Sequence, residues 1–145
     1  MKSMVEGAVS SRSGEEDKID DFGVPKIIVI GIGGAGCNCV NRIAHMGVQG
    51  AQLVAINTDK QHLSIISDDI TKVLIGKSVT RGLGAGGYPE IGAKAAEVSK
   101  DALQEVLKDV DMVFISAGMG GGTGTGAAPV VAEIAREKGI LTVAI

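Results

Sequence analysis

Glycine gathers in three short stretches of this chain, at 31–36, 82–87 and 118–126, each set against apolar runs. There are 22 glycines in 145 residues, so this clustering is the strongest constraint on the fold. A flexible linker would scatter glycine evenly among serine and proline. Glycine packed between buried segments marks loops that need unusual backbone angles or a close approach to a ligand.

The segments between these loops alternate in type. Lys26–Ile30 is a short β-branched run after Pro25 and predicts a buried strand. Val40, Ile43 and Ala44 follow at helical spacing, with Gly47 placed to end that helix. Leu53–Ile56 predicts a second strand, ending at Asn57-Thr58-Asp59, and Val73–Ile75 a third. From Ile91 to Val110 the spacing predicts one long helix, with Ile91, Ala95, Val98, Ala102, Val106 and Val110 as its apolar stripe. Met112–Ile115 is a further strand. Pro129 suits the first turn of a helix through Val130, Val131, Ile134 and Ala135, which Gly139 ends. Leu141–Ile145 is the last strand. This order predicts an α/β fold, a Rossmann-like doubly wound parallel sheet. Aromatics are only 2%, which fits a core of buried aliphatic strands. The last strand runs to the chain end, so the domain at 25–145 is expected to be incomplete at its C-terminus. Residues 1–24 carry Glu15, Glu16, Asp17, Asp20 and Asp21 and no apolar core, and are expected to form a disordered acidic arm.

Charge and cysteine usage narrow the function. With 14 Lys+Arg against 17 Asp+Glu, the chain has no basic footprint for nucleic acid and no polybasic membrane patch. No run approaches the length of a membrane span, so direct membrane insertion is not expected. Cys37 and Cys39 are too close for a good disulfide, and a reduced, cytoplasmic setting follows. His45 and His62 are the only histidines, and no zinc spacing appears.

The glycine loops carry the chemistry. Gly31-Ile32-Gly33-Gly34-Ala35-Gly36 lies between a strand and a helix and satisfies G-x-G-x-x-G. Glycine lets backbone approach a phosphate, and a helix start offers unpaired N–H groups and a positive dipole end. A tight turn with close helix–strand packing explains the same pattern. Gly118 to Gly126 repeats the strand–loop–helix arrangement, with a nest of N–H groups and the hydroxyls of Thr123 and Thr125 for phosphate oxygens. The middle loop, Arg81 to Gly87, could close over a terminal phosphate or be an ordinary connection. Asp59 could take a ribose hydroxyl, as in dinucleotide folds, or hold hydrated Mg²⁺, or form an Asx turn. Gly76-Lys77-Ser78 mimics the end of a P-loop, but position 71 is threonine where that motif needs glycine. An NAD-binding Rossmann-type oxidoreductase is the competing reading, and the threonine-bearing third loop speaks against it.

Gly120-Gly121-Gly122-Thr123-Gly124-Thr125-Gly126 resembles the signature of the tubulin/FtsZ superfamily; tubulins carry serine in place of the second threonine. Gly33-Gly34-Ala35-Gly36-Cys37-Asn38 resembles that family's first phosphate loop, Asn57-Thr58-Asp59 its second, and Arg81 to Gly87 its third. The resemblance runs in order from about residue 25 to the end. It implies a GTP/GDP-binding, Mg²⁺-assisted GTPase that polymerises head to tail at the division site. It implies that Gly34 to Asn38 and Gly121 to Thr125 hold phosphates, with Gly33, Asn57 and Asp59 in the same site. It implies that Ala85, Gly86 and Gly87 approach the γ-phosphate. Partners implied are further copies of the chain, other division proteins and a membrane tether, at midcell in the cytoplasm. The family's catalytic carboxylates come from a loop that lies beyond residue 145. No catalytic residue is therefore expected here, and these residues alone are expected to be inactive.

Overall fold

The computed structural model describes residues 23–145, so the arm expected over 1–24 lies, apart from Gly23 and Val24, outside the described residues. Five strands form one parallel sheet: β1 Ile27–Ile32, β2 Ala51–Asn57, β3 Thr71–Leu74, β4 Met112–Ala117 and β5 Leu141–Ala144. Their order is β3-β2-β1-β4-β5, the doubly wound arrangement. The direction of winding reverses between β1 and β4. Ile32 pairs with both Ile56 of β2 and Ala117 of β4, so the three central strands end level. The loops that follow them therefore emerge side by side on one sheet edge.

The strand pattern explains why both faces are covered. In β1, Ile28, Ile30 and Ile32 are fully buried in the larger core. That core is shared with helices α4 (Pro89–Val98), α5 (Lys100–Val106) and α6 (Thr123–Glu137). On the opposite face Ala55 packs with Cys37 and Val40 of α1 (Gly33–Met46) and with Leu63 of α2 (Lys60–Ser64). A buried parallel sheet needs apolar side chains on both sides, and the continuous aliphatic runs supply them.

Three expectations are corrected. The long helix is two. Ser99 leaves helical geometry at φ −105°, ψ 18° and separates α4 from α5. Its Oγ accepts the Gly76 N–H at 2.8 Å, which anchors this turn to the segment after β3. Burial follows Ala95 and Ala96, then Leu103, Leu107 and Val110, so Val98 and Ala102 of the expected stripe lie off the buried face. The last helix opens at Thr123, six residues before Pro129, which places Pro129 in its interior. Without an N–H, Pro129 leaves the Thr125 carbonyl without its usual helical donor. Gly124, Thr125 and Gly126 are thus first-turn residues rather than loop. Finally, Gly31 and Ile32 belong to β1. A side chain at Gly31 would run into the Gly36 carbonyl, so this glycine serves helix–strand packing. Gly76 starts only a single helical turn, α3 at Lys77–Thr80, packed against Ala95.

Candidate functional site

At the edge where β1, β2 and β4 end, four segments enclose a cavity of about 540 Å³. The first is Ile32 with Gly33, Gly34 and Ala35 at the start of α1. The second is Asn57, Thr58 and Asp59, with His62 beyond them. The third is Leu83 to Gly87. The fourth is Gly118, Met119 and Gly121 to Gly124. The volume falls within the range of small-molecule sites, and the position is the crevice that doubly wound sheets use for ligands.

The segments interlock at close range. Gly33 has φ 75°, and a Cβ there would lie 2.8 Å from the Gly124 nitrogen, so the first and fourth segments touch through backbone. A Cβ at Gly122 would lie 2.9 Å from Ala85 Cβ, which closes the fourth segment on the third. The Lys60 N–H donates to Gly82 O at 3.0 Å and the Gly84 N–H to Thr58 O at 3.1 Å. Across the cavity floor the buried hydroxyls of Thr58 and Thr123 are 2.7 Å apart.

Electrostatics favours an anion. Neither α1 nor α6 has a side-chain N-cap, and neither has an acidic residue in its first turn. Their first N–H groups have no intrahelical partner, and the two positive helix ends face the same cavity. This arrangement can bind phosphate oxygens without a lysine or arginine. Arg81 is exposed, has φ 54°, and does not line the cavity. The cavity fits a hydrated Mg²⁺ carried on phosphates. Among the described residues no three acidic, His or Cys groups cluster as a protein metal cage. Asp59 has one carboxylate oxygen accepting the His62 N–H, which leaves the second to hold metal-bound water.

Of the residues singled out from sequence, Gly33, Gly34, Ala35, Asn57, Asp59, Ala85, Gly86, Gly87, Gly121, Gly122, Thr123 and Gly124 line the cavity. Four do not. A side chain at Gly36 would meet the Ser116 carbonyl, so Gly36 brings α1 against β4. Asn38 is exposed and bonded to His62. Thr125 Oγ1 accepts the Gly120 N–H at 2.9 Å and ties the fourth segment into shape. The Cys37 thiol is fully buried, with Sγ 3.4 Å from Ile56 O and 3.6 Å from Gly31 O. Burial pushes this thiol up to about 12, against a smaller lowering by the Ile56 contact. Cys37 therefore stays protonated at neutral pH, whereas Cys39 is exposed. Maleimide labelling of the native protein should modify Cys39 and spare Cys37; equal labelling of both, read by mass spectrometry, would contradict this burial.

Sequence reasoning left out His62 and, within the motifs it named, Ile32, Thr58, Leu83, Gly84, Gly118 and Met119 as lining residues. His62 had a signal: Asp59 precedes it by three and caps α2 through the His62 N–H, which sets the first turn of that helix over the cavity. Met119 had none beyond lying within the loop.

The family model for the tubulin/FtsZ family, GTPase domain, matches residues 26–145. The chain belongs to the tubulin/FtsZ family. It is 61% identical over 126 residues to cell division protein FtsZ 2 of Methanocaldococcus jannaschii, covering 87% of this chain and 33% of that protein. It is 60% identical over 120 residues to cell division protein FtsZ of Aquifex aeolicus, covering 83% and 32%. Among solved structures, the empty FtsZ dimer of M. jannaschii superposes with a TM-score of 0.80 at 51% identity, over 90% of this chain and 38% of that one. The chain thus spans about a third of the length of the curated relatives it matches. Among the described residues of this FtsZ-family chain, no helix is long and apolar enough to cross a membrane.

Proposed function

We propose that this chain is the phosphate-holding part of a GTP-binding, self-polymerising cell-division protein that forms a contractile ring and hydrolyses GTP where subunits meet. The observation that carries the reading is the convergence of three glycine loops and two uncapped helix starts on one cavity. The names of the relatives support cell division, and the dimer of the M. jannaschii protein supports self-association. Gly33, Gly34 and Ala35 offer first-turn N–H groups to one side of a polyphosphate, and Gly121 to Gly124 to the other. Ala85, Gly86 and Gly87 are placed to close over its terminal group. Asp59 would hold a water of a bound Mg²⁺, which would supply neutralisation of the phosphate charge. Gly36, Cys37 and Thr125 act one step back, by packing and by holding the loops. These residues supply positioning and charge stabilisation, which is the larger share of phosphoryl-transfer catalysis. Assembly at midcell, with other division proteins and a membrane tether, completes the proposal.

The dinucleotide reading predicts a different ligand, and a competition assay separates the two. GTP is expected to displace a fluorescent guanine nucleotide from the protein, while NAD at the same concentration leaves it bound. Displacement by NAD and not by GTP would overturn the proposal.

A further inference from the structure

Beside the phosphate loops, Asn57, His62 and Asn38 form a chain of side chains whose hydrogen-bond polarity follows step by step. Asn57 Oδ1 accepts the Thr58 N–H at 2.9 Å and faces the Asp59 N–H at 3.4 Å. A side-chain NH₂ could not take that position, so the amide nitrogen of Asn57 is the atom 3.0 Å from His62 Nδ1. Nδ1 is then the acceptor, and the ring proton sits on Nε2. That N–H donates to Asn38 Oδ1 at 3.0 Å. Asn57 is only 3% exposed, so water does not substitute freely for these partners. Asp59 holds the backbone of His62 through its Oδ1, which keeps the imidazole at the cavity wall.

Both asparagine oxygens thus already accept hydrogen bonds from within the protein. What they have left to offer a ligand is amide N–H. We propose that His62 is a positioning residue that fixes the two amides so that Asn38 keeps both of its N–H groups, and Asn57 its second one, for a ligand. This end of the cavity then selects a ligand edge made of hydrogen-bond acceptors, such as the sugar or phosphate oxygens of a nucleotide. The inference rests on the nucleotide reading of the cavity. It adds a role for a residue that does not belong to any of the glycine loops.

The test compares GTP affinity across His62→Leu and His62→Gln, with circular dichroism to confirm folding. Glutamine carries one acceptor and one donor and can copy the polarity of the neutral ring; leucine can copy neither. His62→Leu is expected to weaken GTP binding about tenfold, and His62→Gln to stay within roughly threefold of the parent. Equal affinity for the leucine variant and the parent overturns the proposal, as does a folded glutamine variant as weak as leucine. If the leucine variant fails to fold, Asn38→Asp at an exposed position replaces free N–H groups with a carboxylate oxygen. It is expected to lose at least about tenfold in affinity, and unchanged binding overturns the proposal. Repeating the series with 2′,3′-dideoxy-GTP distinguishes the acceptors. A loss at His62→Leu that shrinks with this analogue assigns them to the sugar, and an unchanged loss assigns them to phosphate; both support the polarity. A parent that binds no GTP overturns the nucleotide reading and this proposal with it. A parent that binds while His62→Leu binds equally well overturns the proposal alone.

Discussion

Gly121→Asp is expected to lower GTP affinity by more than about a hundredfold while leaving the melting temperature within about 2 °C of the parent. Gly121 lines the cavity, and nothing lies within 4 Å of a Cβ built there. Its backbone is also outside the left-handed region, so a side chain is accepted without strain. The fold therefore has no reason to respond. The ligand does. Two unit charges roughly 5 Å apart repel by about 3 kcal/mol at an effective dielectric of about 20. A carboxylate in this nest would oppose each phosphate in reach. Gly121→Ala is the control, because it adds the same Cβ without charge and should bind within about fivefold of the parent. Calorimetric titration and a thermal melt measure the two quantities separately. Retained affinity in the aspartate variant would place the phosphates elsewhere.

Gly126→Ala is expected to destabilise the protein by about 2–3 kcal/mol, although helix propensity alone favours alanine by about 1 kcal/mol. Gly126 lies in α6, where a Cβ would collide with the Pro89 carbonyl and sit 2.5 Å from the Ala93 nitrogen of α4. Both neighbours are backbone, so neither can turn aside. Gly92 mirrors it, with a Cβ only 2.5 Å from the Gly122 carbonyl. Relief requires α4 and α6 to separate, and that movement would also pull the loop at 83–88 from the start of α6. Urea unfolding decides between the two effects. A midpoint that falls with an unchanged m-value shows that the close approach outweighs propensity. A midpoint that rises would mean that the helices are not in such contact.

Much of this architecture was legible because it depends on local chemistry. β-branched runs bounded by Pro25, Gly31 and Asn57 become strands with the order and spacing expected of a parallel sheet. Gly47, with φ 78°, and Gly139, with φ 72°, end helices where a left-handed residue is needed. The glycine nest from Gly121 to Gly124 lines the cavity because loops at parallel strand ends have few other places to go. Periodicity failed where neighbouring apolar residues offered two faces. The stripe from Ile91 to Val110 took Val98 and Ala102, whereas packing buries Ala96, Leu103 and Leu107. Pro129 marked a helix start by local rule, yet the helix begins at Thr123, where Gly92 of α4 meets Gly122 and Thr123 and Gly126 meets Pro89 and Ala93.

The site divides in the same way. Composition and motif order by themselves predicted that glycine loops would gather at the ends of the strands, where the cavity lies. Which glycines face the cavity and which face protein was decided only by tertiary packing. Gly33 and Gly31 are two residues apart and similar in sequence context, but one lines the cavity and the other accommodates the Gly36 carbonyl. Cys37 and Asn38 are adjacent, yet helical rotation of about 100° per residue buries the first and exposes the second. His62 joined the site through Asn57 and Asn38, the latter 24 residues away. Such a contact depends on the angle at which α2 leaves β2 against α1, and no local pattern records an angle between elements.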